Sequence, residues 1–281
     1  MKAVFNASSI QNFATHYPAQ AGRLRHQLER HPLFDLARLA GLARALPNDS
    51  VEYNAGDLPI SLDPDKTPSN GLSAEETVRR IAENNSWIVL KGIEQDPDYH
   101  ALLQHCLEGL EDTVCAATGA MHKQQGFIFI TSPGSVTPFH MDPEHNTLLQ
   151  IRGEKSFRIY PADDENIVSL GQQEAFHQPG GHRNLTHDKA FDEVSQVHAL
   201  GPGDGLYVPV KAPHWVANGH SVSVSLSITW RSRLSDDEAR LHRANGWLRM
   251  RGSVPPRPGL APLRDRAVVL AHRLGERVAQ R

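Results

Sequence analysis

Two hydrophobic periods take turns along this chain. Apolar residues at helical spacing (Leu24, Leu28, Leu33 and Leu36) predict a helical segment over residues 21–46, broken near Pro32. Residues 48–70 are rich in Pro, Asp, Asn and Gly and read as a surface loop. A helix starts at Ser73, where Ser73 and Glu76 match a capping box and Val78 and Ile81 supply the apolar stripe. SWIVLKGI, from Ser86, reads as a buried strand. Tyr99, Leu102, Leu103, Cys106, Leu107 and Leu110 then return to helical spacing.

From Gly126 the period falls to two. GFIFITS is a strand, and NTLLQI and KSFRIYP flank the short connection RGE, which predicts a hairpin. Residues 162–200 are polar without a strong period, as a lid or insertion would be. GDGLYVPV is another strand. SVSVSLSITW, from Ser221, sets Val222, Val224, Leu226 and Ile228 on one face and serines on the other. A helix over 235–250, a Pro-rich break at 254–262 and a basic helix close the chain. The layout predicts a mainly β fold with flanking helices: an N-terminal helical and strand segment (1–125) packing on a β core (126–232), then a C-terminal helical segment (233–281).

Composition narrows the function classes. Hydrophobic residues make up 39% and charged residues 22% of 281, as in a soluble globular protein, and the formal charge of −3 gives no reason to expect a nucleic-acid partner. Two cysteines without paired spacing, no signal-peptide core and no long apolar run lead to the expectation of a cytoplasmic protein with no membrane partner.

The chemistry gathers in TPFHMDPEHNTLLQIRGEK, residues 137–155. In a strand, His140 and Asp142 project from one face and can reach one metal ion. In a chain with sixteen histidines such a triplet alone is a weak signal. A third ligand must come from another strand, and His214 is the best placed, although a packed loop histidine explains it equally when taken alone. Lys155 shares a face with Phe157 and Ile159. Its ammonium either snorkels at a sheet edge or holds the far carboxylate of an acidic co-substrate. His145 reads as a contact near the site rather than a ligand, and His177, His182 and His187 as surface groups.

Three blocks in register, SVTPFHMDPEHN, QIRGEK and GDGLYVPVKAPHW, resemble the JmjC, or cupin-like, iron(II)- and 2-oxoglutarate-dependent oxygenases. The similarity is greatest to the asparaginyl hydroxylase branch that acts on hypoxia-inducible factor. It covers about residues 126–230 and includes Thr137, His140, Asp142, Asn146 and Lys155, then Gly203, Asp204, Leu206, Tyr207, Pro209 and His214. The resemblance implies a double-stranded β-helix (jelly-roll or cupin) core with N-terminal and C-terminal helices. It makes His140, Asp142 and His214 the catalytic iron ligands. It assigns Lys155 and Thr137 to 2-oxoglutarate and puts Asn146 near the other end of that co-substrate. The branch's tyrosine is replaced by Phe127 and Phe129, and the asparagine of its last core strand by Ser227 and Thr229. The implied activity is O2-dependent hydroxylation of a protein or peptide side chain. A small-molecule hydroxylase and a non-catalytic cupin-like binding protein are the alternatives. The resemblance also implies a homodimer through the C-terminal helices, with Trp247 and Leu248 as contacts.

Overall fold

Strict alternation in the serine-rich strand organises the whole molecule. In a computed structural model, which describes residues 3–55 and 69–279, the elements in chain order are α1 (Ala7–His16), β1 (Gly22–Arg25), α2 (Leu36–Ala45), β2 (Val51–Ala55), α3 (Ala74–Arg79), β3 (Ser86–Lys91), α4 (Pro97–Glu108), α5 (Glu111–Thr118), β4 (His122–Thr131), β5 (Val136–His140), β6 (His145–Arg152), β7 (Lys155–Ile159), α6 (Leu170–Phe176), β8 (Gln196–Leu200), β9 (Asp204–Val208), β10 (His214–Asn218), β11 (Ser223–Arg231), α7 (Arg233–Met250) and α8 (Pro262–Ala279). The strands form two antiparallel sheets: seven strands in the order β1-β9-β6-β11-β4-β3-β2, and four in the order β5-β10-β7-β8.

The apolar face of β11 (Val224, Leu226, Ile228) does not point between the sheets. It joins Ile128, Ile130, Ile88 and Leu90 under helices α1 to α5, in the largest hydrophobic cluster. Each such side chain contributes roughly 1.5–3 kcal/mol when fully buried. The serine face turns inward and is buried too, because its hydroxyls find partners there: Ser225 donates to Gln150 Oε1 (2.7 Å) and Ser227 to Asn146 Oδ1 (2.8 Å). A small cluster built on Leu148, Phe157, Leu206 and Val216 fills part of the space between the sheets. The interior is thus half apolar and half polar, which leaves room for a polar site.

Three expectations are corrected. Residues 21–46 are not one helix. Gly22–Arg25 is a strand whose Leu24 is buried while Arg23 and Arg25 face solvent beside Asp204, and helix begins only at Leu36. In that segment the period of two over GRLR competed with leucines that also fit a helix. β6 and β7 do not pair as a hairpin: β6 lies between β9 and β11 of the larger sheet, and β7 between β10 and β8 of the smaller. Their turn is a corner between sheets. Gly153 sits there at φ +71, where an added Cβ would meet Val222 O at 2.4 Å. The loop expected over 48–70 contains β2, which pairs with β3; residues 56–68 lie outside the described residues. The capping box at Ser73 and Glu76 forms as the sequence indicates, and α7 starts at Arg233 behind a second box made by Ser232 and Ser235.

Candidate metal and co-substrate site

β5 ends on His140, β10 begins on His214, and the two are register partners in an antiparallel ladder. Pairing at the ends of neighbouring strands brings the imidazoles to 4.1 Å between ring centroids. Phe157 stacks on the outer side of His214 at 4.9 Å. Asp142 lies just past the end of β5, not within it. The loop holding it is pinned by two backbone bonds: the Lys211 N–H donates to Asp142 O (2.8 Å), and the Met141 N–H donates to Arg183 O (3.1 Å).

One donor atom from each of the three residues falls within 4.8 Å of the others. Asp142 Oδ2 is 3.6 Å from His140 Nε2 and 3.8 Å from His214 Nε2. Each imidazole Nδ1 faces a backbone carbonyl, Pro138 O at 2.7 Å and Ala212 O at 2.9 Å. A carbonyl accepts only, so the proton sits on Nδ1 and the Nε2 lone pair is left for an ion. Burial, with His140 alongside, lowers His214 to about 3, so the ring stays neutral. Burial pushes the Asp142 carboxyl up, but His140, Arg183 and His214 outweigh it and hold the group well below the ordinary carboxylate range. Two imidazole nitrogens and one carboxylate form a set that suits a divalent transition metal. No other group of three His, Cys, Asp or Glu residues gathers in this way among the described residues.

All six residues singled out in the sequence line one cavity of about 90 Å³: Thr137, His140, Asp142, Asn146, Lys155 and His214. Lys155 is 5% exposed, and its ammonium lies 5.7 Å above the Phe129 ring. Among the described residues no carboxylate pairs with it. Burial alone lowers it to about 7. Phe127, Phe129, Ser227 and Thr229 complete the wall. The Thr229 hydroxyl is buried and has no partner among the described residues.

Several neighbours were not legible. Arg183, from the polar insertion, sits 3.3 Å from Asp142 Oδ1. Glu144 and Arg231 form a forked pair at the cavity's edge (2.7 and 3.2 Å). Lys211 occupies a left-handed backbone position (φ 60), and its buried ammonium reaches Glu238, Gln173 and His242 at 2.6, 3.0 and 3.1 Å. Three histidine readings also change. His145 is fully buried, facing away from the cavity, and bonds Tyr207 OH (2.8 Å) and Ser232 Oγ (3.0 Å). His177 stacks on His242, and His187 joins Tyr160 and Asp192. His182 is exposed, as expected.

The cavity opens towards a larger cleft of about 600 Å³. Its floor exists because the larger sheet outreaches the smaller one. Trp87, Val89 and Lys91 of β3 stand opposite Thr131, Phe129 and Phe127 of β4, on the side away from the apolar cluster under the helices. Segment 176–184 forms one wall, and the cleft shares Phe176, Gly181, His182 and Asn184 with a second groove of about 620 Å³.

Two antiparallel sheets with a His-Asp-His group at the strand ends define a cupin-type fold. Residues 69–236, more than half of the chain, match the model of the cupin-like domain family, and the chain belongs to that family. Among curated relatives, the Drosophila melanogaster Jumonji C domain-containing protein 5 is 27% identical over 177 residues, covering 59% of this chain and 39% of that protein. The Arabidopsis thaliana lysine-specific demethylase JMJ30 is 27% identical over 153 residues, 50% and 34% of the two chains. This chain therefore spans well under half the length of these relatives. The X-ray structure of Escherichia coli ycfD superposes with a TM-score of 0.52 at 17% identity, covering 98% of this chain and 69% of that one, a likeness of fold alone. No helix among the described residues is long and apolar enough to cross a membrane.

Proposed function

We propose that this protein is an iron(II)- and 2-oxoglutarate-dependent oxygenase that hydroxylates a C–H bond in a protein or peptide side chain. One observation carries the reading: the three donor atoms converge at one end of a cavity that contains a buried lysine with no carboxylate partner among the described residues. An isolated buried ammonium is costly unless a ligand supplies the counter-charge. A metal site alone gives no reason for it, whereas a chelating dicarboxylate does. Bound together, the metal and 2-oxoglutarate supply oxidative decarboxylation to succinate and carbon dioxide, coupled to insertion of oxygen into the substrate.

The chain's own groups have definite tasks. His140, Asp142 and His214 would hold the ion on one face, leaving the other positions to ligands. Lys155 would meet the distal carboxylate of 2-oxoglutarate, with the Thr137 hydroxyl beside it, while Asn146, fixed by Ser227, borders the same cavity. Phe127, Phe129 and Phe157 keep water away from the ion pair so formed, which strengthens it. The long groove past segment 176–184 supports a polypeptide substrate, because its two parts together exceed what a single metabolite needs. The placement on the asparaginyl branch rests on motif spacing, and Phe127 and Phe129 depart from it.

The test is succinate release with iron(II) and ascorbate, together with metal-dependent 2-oxoglutarate binding. The protein should bind and turn over 2-oxoglutarate, and His140→Ala and Lys155→Ala should not; absence of both signals in the parent protein refutes the assignment. Two further proposals accompany this reading. Free Cys106 and exposed free Cys115 fit the cytoplasm, a reducing compartment. Exposed Trp247 and Met250 on α7, with Leu263, Leu270 and Leu274 on α8, fit a homodimer contact, which light scattering would detect.

A further inference from the structure

The cleft's charge is set by one arginine whose position is fixed although its side chain is 53% exposed. Arg183 lies on a strap bonded along the end of β5 and the residue after it: the Met141 N–H donates to Arg183 O (3.1 Å), and the Leu185 N–H donates to Phe139 O (2.8 Å). The guanidinium consequently borders both the metal cavity and the cleft. One of its nitrogens faces Asp142 Oδ1 at 3.3 Å, on the opposite oxygen from the two imidazoles. A guanidinium carries five N–H donors, so several remain for a ligand arriving through the cleft.

Two other cations of the cleft are held in pairs, Lys91 with Glu52 (2.5 Å) and Arg231 with Glu144 (2.7 Å). Arg183 has Asp142 as its counter-charge. A divalent ion on Asp142 would draw that carboxylate to itself and leave the guanidinium of Arg183 to a ligand.

We propose that the cleft selects an acidic substrate, and that Arg183 is the specificity-determining residue, pairing a substrate carboxylate beside the metal and turning away lysine and arginine side chains. This rests on the oxygenase reading, since the metal and 2-oxoglutarate complete the site. It also separates this chain from the lysine specificity that the name of its Arabidopsis thaliana relative states.

The experiment uses the whole chain loaded with manganese(II) and 2-oxoglutarate, with loading measured first by calorimetry. Fluorescence anisotropy then compares short labelled peptides built from aspartate, serine and glycine with their lysine and asparagine counterparts. The acidic peptide should bind at least about tenfold more tightly than the lysine one at moderate ionic strength. Arg183→Glu should invert the order, and Arg183→Gln should flatten it, a change that mere loosening of the strap would not produce. Competition by N-acetylaspartate as strong as by the peptide would assign the carboxylate to a small acid. Equal binding, preference for lysine, no peptide binding, an acidic preference that survives Arg183→Glu, or tighter binding of single-stranded RNA would each overturn the proposal. Failure of 2-oxoglutarate loading would instead remove the oxygenase reading.

Discussion

Replacing Lys155 with methionine should move stability and co-substrate affinity in opposite directions. In the folded chain burial brings this ammonium from the ordinary 10.5 down to about 7. At about 1.4 kcal/mol per tenfold, the buried charge costs folding roughly 4–5 kcal/mol below pH 7. The unfolded chain keeps its proton up to the ordinary lysine value and the folded chain releases it near 7. The unfolded state therefore binds more protons between those limits, and the cost fades as pH rises through that window. Methionine has a similar length and no charge. Urea unfolding at pH 6.5 without ligands should show the variant more stable by roughly 2–4 kcal/mol, allowing for imperfect packing. Calorimetry with manganese(II) should show 2-oxoglutarate bound about 100-fold more weakly, because its distal carboxylate loses a buried charge-assisted partner. The parent should also take up protons on binding 2-oxoglutarate above pH 7, and the variant should not. A methionine variant that is less stable, or that binds 2-oxoglutarate as the parent does, would show that Lys155 serves the fold and not a ligand.

Three more outcomes test the structure. His214→Ala should lower manganese(II) affinity at least about 100-fold by paramagnetic resonance titration, as it removes a donor outright. His145, His177 and His214, held near 3, and His242, held near 2, are neutral in the fold, whereas the unfolded chain protonates them near 6.5. Their stability contribution is intact above pH 6.5 and falls on acidification by up to about 1.4 kcal/mol per pH unit for each, so an unfolding midpoint unchanged between pH 7 and 5 would contradict their burial. Gly153→Ala should destabilise by at least about 2 kcal/mol in urea unfolding, through the positive φ and the approach to Val222 O.

Local rules carried much of the fold. The alternation of β11, the capping box at Ser73 and the strand at Ser86 all rest on neighbours in sequence, and all are present. Which sheet each strand joins depends on partners far along the chain. The corner at Gly153 therefore looks, in sequence, like any hairpin turn. The same division holds at the site. His140 and Asp142 were visible as a pair because alternate strand positions share a face, a weak signal alone, and His214 and Lys155 because whole blocks matched a family. Arg183 had no such signal. It lies in a polar insertion without period and reaches Asp142 only because the strap bonds to β5. His145 illustrates the converse: it looks like part of the site, yet alternation along β6 turns it to the other face, where Tyr207 and Ser232 complete its bonding.

The metal donors and the buried lysine stand on β5, the loop just past it, β7 and β10, whereas much of the floor that would meet a substrate belongs to β2 and β3, more than forty residues upstream of His140. Chemistry and recognition are thereby assigned to separate stretches of polypeptide in separate sheets, the upstream one joined to the larger sheet through the β3–β4 ladder. Exchanging the upstream stretch offers a route to new targets with the oxidising centre left as it is.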